Sequence, residues 1–257
     1  MAKVAPLVVS VEEVAREPYN LVLCYPRLEK DSLNARIRQL CELGVTHLVF
    51  QGRLKLNGLS VLGKGVAGMV AVGILGGRKV ALKIRRLDSR RDSLATEARM
   101  LQAANAVGVG PEYIGGGPDI LAMELVDGER LPLWLTGLRG RGRKSRVKAT
   151  VRTLLEQCHR LDAAGIDHGE LSRAHKNVLV TKDDCPCILD FESASSSRRP
   201  SNLTSLTQYL FLGGSLTRKV TRVLGPVDRD ELLRCLRLYK KGEAETAFHS
   251  TLKLLKL

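Results

Sequence analysis

The sequence predicts an α+β chain of two lobes, rich in strands in its first half and in helices in its second. Three observations predict it. Short β-branched runs separated by glycine turns fill the stretch from Gly58 to Glu124. After Asp127-Gly128 the apolar period changes to that of helices. The 257 residues, 44% of them apolar, suffice to bury a real core in each half. Two such halves joined by one short segment predict a cleft between them.

Residues 1–57 read as an N-terminal extension that packs on the first lobe. Within it, Asp31 to Leu43 reads as a helix with Leu33, Ile37, Leu40 and Leu43 on one side and Gly44 as its stop. Val45 to Phe50 reads as a strand. The first lobe, residues 58–126, begins with strands at Leu59–Gly63, Met69–Leu75 and Lys79–Arg85, the last two joined by a Gly76-Gly77 turn. A helix follows, capped by Asp92 or Ser93, with Leu94, Ala98, Leu101 and Ala104 inward. Strands at Tyr113–Gly115 and Ile120–Glu124 complete a predicted sheet of five strands. The second lobe, residues 127–257, opens on a run with six cations, Arg139, Arg141, Arg143, Lys144, Arg146 and Lys148, whose first half reads as a loop around Gly140 and Gly142. A helix with Val151, Leu154, Leu155, Cys158 and Leu161 inward reaches about Asp162. A strand pair, Asn177–Thr181 with Cys187–Phe191, and three or four helices finish the chain.

The net charge of +14 favours polyanionic partners. The basic run at 139–148 is the place where RNA or a ribonucleoprotein would dock, and such binding would depend strongly on salt. Six cysteines are present, with no C-x-x-C pair. Cys158 falls at a core position, which predicts a buried thiol. Met1 to Ser10 has no long apolar core of a leader, and no stretch reaches the ~18 apolar residues of a membrane span. A cytoplasmic protein without membrane contact is expected.

The residues that carry chemistry begin at Gly63-Lys64-Gly65-Val66-Ala67-Gly68-Met69-Val70, a G-x-G-x-x-G-x-V. In a dinucleotide-binding loop this pattern would open a helix. Here a strand follows, so a glycine-rich hairpin is expected, whose backbone amides can approach phosphates. Fifteen residues on, Val80-Ala81-Leu82-Lys83 ends an apolar strand on a lysine. Glu97 lies between Leu94 and Leu101, on the inward side of the next helix. A carboxylate there needs a partner, and Lys83 is the obvious one. In the second half, Ile188-Leu189-Asp190-Phe191-Glu192 closes a hairpin, and His168-Gly169-Glu170-Leu171 precedes it.

Taken in order, these elements resemble protein kinases. Gly63–Gly68 resembles the glycine-rich loop, Lys83 with Glu97 the phosphate-orienting ion pair, His168-Gly169-Glu170-Leu171 the H-R-D-L loop, and Asp190-Phe191-Glu192 the D-F-G element. The resemblance spans about residues 58–210. The absence of A-P-E and of a long activation segment is similar to the RIO family and to small archaeal kinases linked to tRNA modification. The combination of H-G-E-L-S-R-x-H-K-N with D-F-E-S-A-S resembles a predicted archaeal serine/threonine kinase family. The implied fold is a protein-kinase-like one with a shortened helical second lobe.

The resemblance implies ATP and Mg²⁺ as partners and a serine or threonine hydroxyl of a protein, the chain itself included, as acceptor. Gly63, Lys64, Gly65, Gly68, Val70, Ala81 and Lys83 would bind the nucleotide, with Met123, Glu124 and Val126 as the adenine hinge. Asn177 and Asp190 would hold the metal. Glu170, with Lys83 and Glu97, would form the catalytic set. Two departures leave alternatives open. Glu170 stands where kinases have Asp, and Asp167 is a rival base. His175 lies five residues after Glu170, where the metal-binding Asn is expected, while Asn177 directly precedes the strand. Arg173 or Lys176 would neutralise charge on the phosphoryl group, and Ser193–Ser197 is a candidate for self-phosphorylation. An ATPase switch acting on RNA or a ribonucleoprotein, a nucleotide- or RNA-binding pseudokinase, and a small-molecule kinase are the other readings.

Overall fold

Leu75 pairs directly with Arg78, so Gly76 and Gly77 alone turn the chain, at φ +56° and +75°. Two positive φ angles in a two-residue hairpin suit the right-handed twist of the strands, and glycine accepts them without strain. This turn joins β6 (Gly68–Leu75) to β7 (Arg78–Arg85), the two longest strands. The computed structural model describes residues 5–257, so the start of the Met1–Ser10 stretch lies outside the described residues.

The chain forms two units. The first comprises residues up to 99 together with 112–125, and the second comprises 100–111 and 126–257. In chain order the first holds β1 (Leu7–Ser10), a short α1 (Asn20–Leu23), α2 (Lys30–Glu42), β2 (Val45–Phe50), β3 (Leu54–Leu56), β4 (Leu59–Val61), β5 (Gly63–Lys64), β6 and β7. Helix α3 (Ala95–Ala106) begins in the first unit and ends in the second. β8 (Tyr113–Gly116) and β9 (Ile120–Glu124) complete the first unit.

The sheet has seven strands rather than five. Its order is β1-β2-β6-β7-β9-β8, all antiparallel, with β5 paired to the start of β6. The extension supplies the two added strands, and β2 covers the edge of β6 that would otherwise be unpaired. The predicted Leu59–Gly63 strand divides: β4 pairs with β3, and Gly63 starts β5. Val14, Leu23 and Leu40 of the extension are fully buried together with Leu48, Leu82, Ile84 and Ile120, so one apolar core serves both segments. A polar clamp reinforces it. Arg36, which has no exposed surface, donates to the Leu23 carbonyl and to Asp119 Oδ1 (3.1 Å), and Arg85 reaches the same carboxyl at 2.6 Å. Burial opposes charge on Asp119, but Arg36 and Arg85 outweigh it and hold its pKa below the usual carboxylate value.

The second unit contains β10 (Gly128–Arg130), α4 (Leu131–Gly137), α5 (Arg143–Ala163), a single turn α6 (Ala174–Asn177), β11 (Val178–Thr181) and β12 (Pro186–Ile188). They are followed by α7 (Asn202–Gln208), a π-helical turn at Tyr209–Gly213, α8 (Thr217–Leu224), α9 (Arg229–Lys241) and α10 (Ala244–Leu254). β10 had no signal of its own; it joins the predicted hairpin as a third antiparallel strand, β10-β11-β12. The inward residues expected of α5, Val151, Leu154, Leu155, Cys158 and Leu161, are all buried. Burial pushes the Cys158 thiol well up, as for an inert core thiol. Among the described residues no helix is long and apolar enough to cross a membrane.

Candidate active site

In the first unit the glycine-rich segment is a strand-turn-strand, as expected. β5 pairs with β6 through Gly63–Val70 and Lys64–Met69, and the Gly65 N–H donates to the Gly68 carbonyl at 2.8 Å. Val66 at the tip is 85% exposed. Gly68 is tightly packed: a Cβ there would lie 3.0 Å from Lys83 Cγ, 3.1 Å from its Cε and 3.2 Å from the Ile84 carbonyl oxygen. Gly63 and Gly65 are not. Neither has a positive φ, a Cβ on Gly63 would meet nothing within 4 Å, and one on Gly65 only an ordinary contact at 3.5 Å. Lys64 is drawn back toward the extension, with Nζ 2.9 Å from the Tyr25 hydroxyl and 4.7 Å from its ring centre.

Strand register places Val70 opposite Lys83, and Met123 opposite Ala81. Ala81 and Lys83 are two apart, so all four stand on one face of the sheet. Glu124 falls on the other face; its N–H is used by the Glu112 carbonyl, and its carboxylate accepts the Glu112 N–H. Val126 is half-buried and belongs to the second unit. Lys83 Nζ and Glu97 Oε1 are 2.8 Å apart, with side chains 7% and 5% exposed. Ser93 Oγ accepts the Ala95 N–H at 3.0 Å and fixes the start of the helix that carries Glu97.

In the second unit a polar cluster forms around Glu170. Its Oε2 accepts from Asn177 Nδ2 at 3.2 Å, and its Oε1 accepts from the Ser193 hydroxyl at 2.8 Å. Asn177 Oδ1 has no partner among the described residues. The Leu189 N–H donates to the Asn177 carbonyl at 2.7 Å, which sets Asp190 beside the Asn177 strand end. Asp190 is exposed and takes φ +67°, and a carboxylate oxygen of Asp190 lies within 4.8 Å of one of Glu192. Gly169 has φ +83°, and a Cβ there would strike Arg198 and the Ser193 carbonyl at 2.7 and 2.8 Å. A side chain is therefore excluded at this position.

The rivals occupy other places. Asp167 is 7% exposed, accepts from Arg198 Nε (3.0 Å) and from the Ser201 N–H (3.3 Å) and hydroxyl, and bridges to Ser195 through its backbone. His175 turns its ring toward Tyr209, with centres 6.0 Å apart. Arg173 and Lys176 are exposed. Ser195 and Ser197 hydroxyls bond each other at 3.0 Å.

Two residues given no role from sequence hold this cluster in place. His168 is fully buried. Its Nε2 lies 2.9 Å from the Leu189 carbonyl, so that nitrogen donates and Nδ1 accepts the Glu170 N–H at 3.4 Å. Burial lowers the His168 pKa and favours this neutral form. Its ring lies 5.1 Å from that of Phe191, which in turn fills the space a Cβ on Gly110 would need. Asn202 is 1% exposed; its Oδ1 accepts the His168 N–H (2.8 Å), and its Nδ2 donates to Asp162 (2.7 Å) and to the Ile166 carbonyl. The position after Pro200-Ser201 signals a helix start, but nothing in the sequence announces partners 34 and 40 residues away.

Compared with known proteins, the chain matches no family model, and no curated protein matches it significantly.

Proposed function

We propose that the chain is an ATP- and Mg²⁺-dependent phosphotransferase of protein-kinase-like fold, and that its acceptor is a serine or threonine hydroxyl of a protein. The observation that carries this reading is the Lys83–Glu97 pair, 2.8 Å long and buried on both sides. Removing two charges from water is costly, and apolar residues of similar volume would stabilise the fold as well or better. A lysine fixed in this way, next to a glycine hairpin, is suited to hold phosphate oxygens. Gly63 and Gly65 support the same reading, since neither backbone angle nor packing requires glycine there and close approach of a ligand to the backbone does.

In the second unit, Glu170 would accept a proton from an attacking hydroxyl, a reading supported over Asp167 because Asp167 already accepts three hydrogen bonds from Arg198 and Ser201. Asn177 Oδ1 and the Asp190 carboxylate fit Mg²⁺, because both are hard oxygen donors and Oδ1 is unpartnered. When bound, the ion would neutralise charge on the phosphates. Glu192, close to Asp190, would add a further carboxylate where kinases have glycine.

An ATPase reading is favoured by one feature. Only 11 residues separate Asp190 from α7, too few for a peptide-docking activation segment. One assay separates the two. γ-Labelled ATP with Mg²⁺ should yield labelled protein, lost in both Lys83→Ala and Asp190→Ala. Free phosphate without labelled protein would select the ATPase. Nucleotide binding without turnover of either kind would defeat both.

A further inference from the structure

The basic run does not act as one surface. Arg146 turns to Asp184, with Nε–Oδ2 at 2.5 Å and Nη2–Oδ1 at 2.7 Å, and the Trp134 indole N–H holds the same carboxylate at 3.0 Å. Arg139 and Arg143 turn elsewhere. With Lys219 and Arg222 of α8, and with Leu135 and Thr136 of α4, they line a cleft of about 250 Å³.

Four cations from three separate segments thus converge, and among the described residues no carboxylate lines the cleft. The few tethers present leave the charges unneutralised. Arg139 donates to the Thr136 and Leu138 carbonyls, and Lys219 Nζ donates to Thr136 Oγ1 at 3.0 Å. Arg143 Nε is buried without a hydrogen-bond partner, and Arg222 has none among the described residues. The cleft also faces the start of α5, whose first turn carries no acid although the positive end of a helix favours one. Like charges held together destabilise a fold unless an anion relieves them.

The geometry points to a binding site for the phosphate backbone of a nucleic acid. Arg141 and Lys144, beside Arg143 in the sequence, and Arg218, beside Lys219, are exposed and unpaired among the described residues, so the cationic charge at these segments exceeds the four groups that line the cleft. Among the described residues no aromatic ring lines the cleft, so bases are not stacked and binding is independent of sequence.

The test is fluorescence anisotropy of a labelled single-stranded RNA of mixed sequence with the full chain, titrated from about 50 to 200 mM salt. Lys219→Ala/Arg222→Ala, which lies outside the run, should weaken binding at least about tenfold at low salt and flatten the log–log salt slope by roughly 1.4, the loss of two phosphate contacts. Lys79→Ala, exposed in the first unit, should change neither quantity. Lys219→Arg/Arg222→Lys should bind as the natural chain does. An unchanged slope in the alanine variant would overturn the proposal. So would loss of binding in the charge-keeping variant, or equal affinity for polyglutamate or for phosphatidylserine vesicles. The readout is binding, so it is independent of whether the chain turns over ATP.

Discussion

Asn177 donates its side-chain amide to Glu170 at 3.2 Å, across seven residues of sequence. This one contact ties the proposed metal ligand to the proposed base and leaves Asn177 Oδ1 free to bind a cation.

Glu170→Gln keeps the shape of the cluster and removes the proton acceptor. It should lower kcat by about 10²–10⁴-fold with little change in the KM for ATP. Steady-state kinetics checks this, with Asp167→Asn as the comparison: that variant should lose thermal stability, because Arg198 and Ser201 lose their carboxylate. A larger kcat loss in Asp167→Asn at unchanged stability would assign the base to Asp167.

Lys83→Met should abolish turnover and also destabilise the fold by roughly 3–5 kcal/mol, since the buried Glu97 carboxylate loses the cation 2.8 Å away. The double variant Lys83→Met/Glu97→Gln should recover most of that stability while remaining inactive. Denaturant unfolding followed beside the ATP assay separates the two effects. Recovery of activity in the double variant would remove Lys83 from the mechanism.

Arg36→Met should cost roughly 1–3 kcal/mol, because the Leu23 carbonyl loses its buried donor while Asp119 keeps Arg85 and Gln39. Asp119 is held below its ordinary pKa by the same arginines, so the stability it contributes is complete above the unfolded carboxylate value and fades as acid protonates it. In the variant this acid sensitivity should shrink. Urea midpoints measured at neutral and acid pH test both points.

His168 titrates below its ordinary value of about 6.5 because burial disfavours its charge. The unfolded chain therefore binds the proton more readily. Stability should be complete above pH ~6.5 and fall as pH drops below it, by at most about 1.4 kcal/mol per pH unit. His168→Gln should flatten that limb of the urea-midpoint profile. An identical profile in the variant would place the titration elsewhere.

The sequence by itself determined the elements that local period and turn chemistry encode. The glycine hairpin, the Gly76-Gly77 turn, α5 with its inward face, and Glu97 as a buried carboxylate needing a cation were all legible, because each depends on neighbours within a few residues or on the cost of burying an unpaired charge. Only the tertiary structure decided the rest. It made the extension part of the main sheet, clamped Arg36 to a residue 83 positions away, brought Asn202 under His168, and split the basic run between Asp184 and a cleft shared with α8. Those contacts join side chains distant along the chain, and a hydrogen bond or ion pair between them leaves no periodic trace in the sequence.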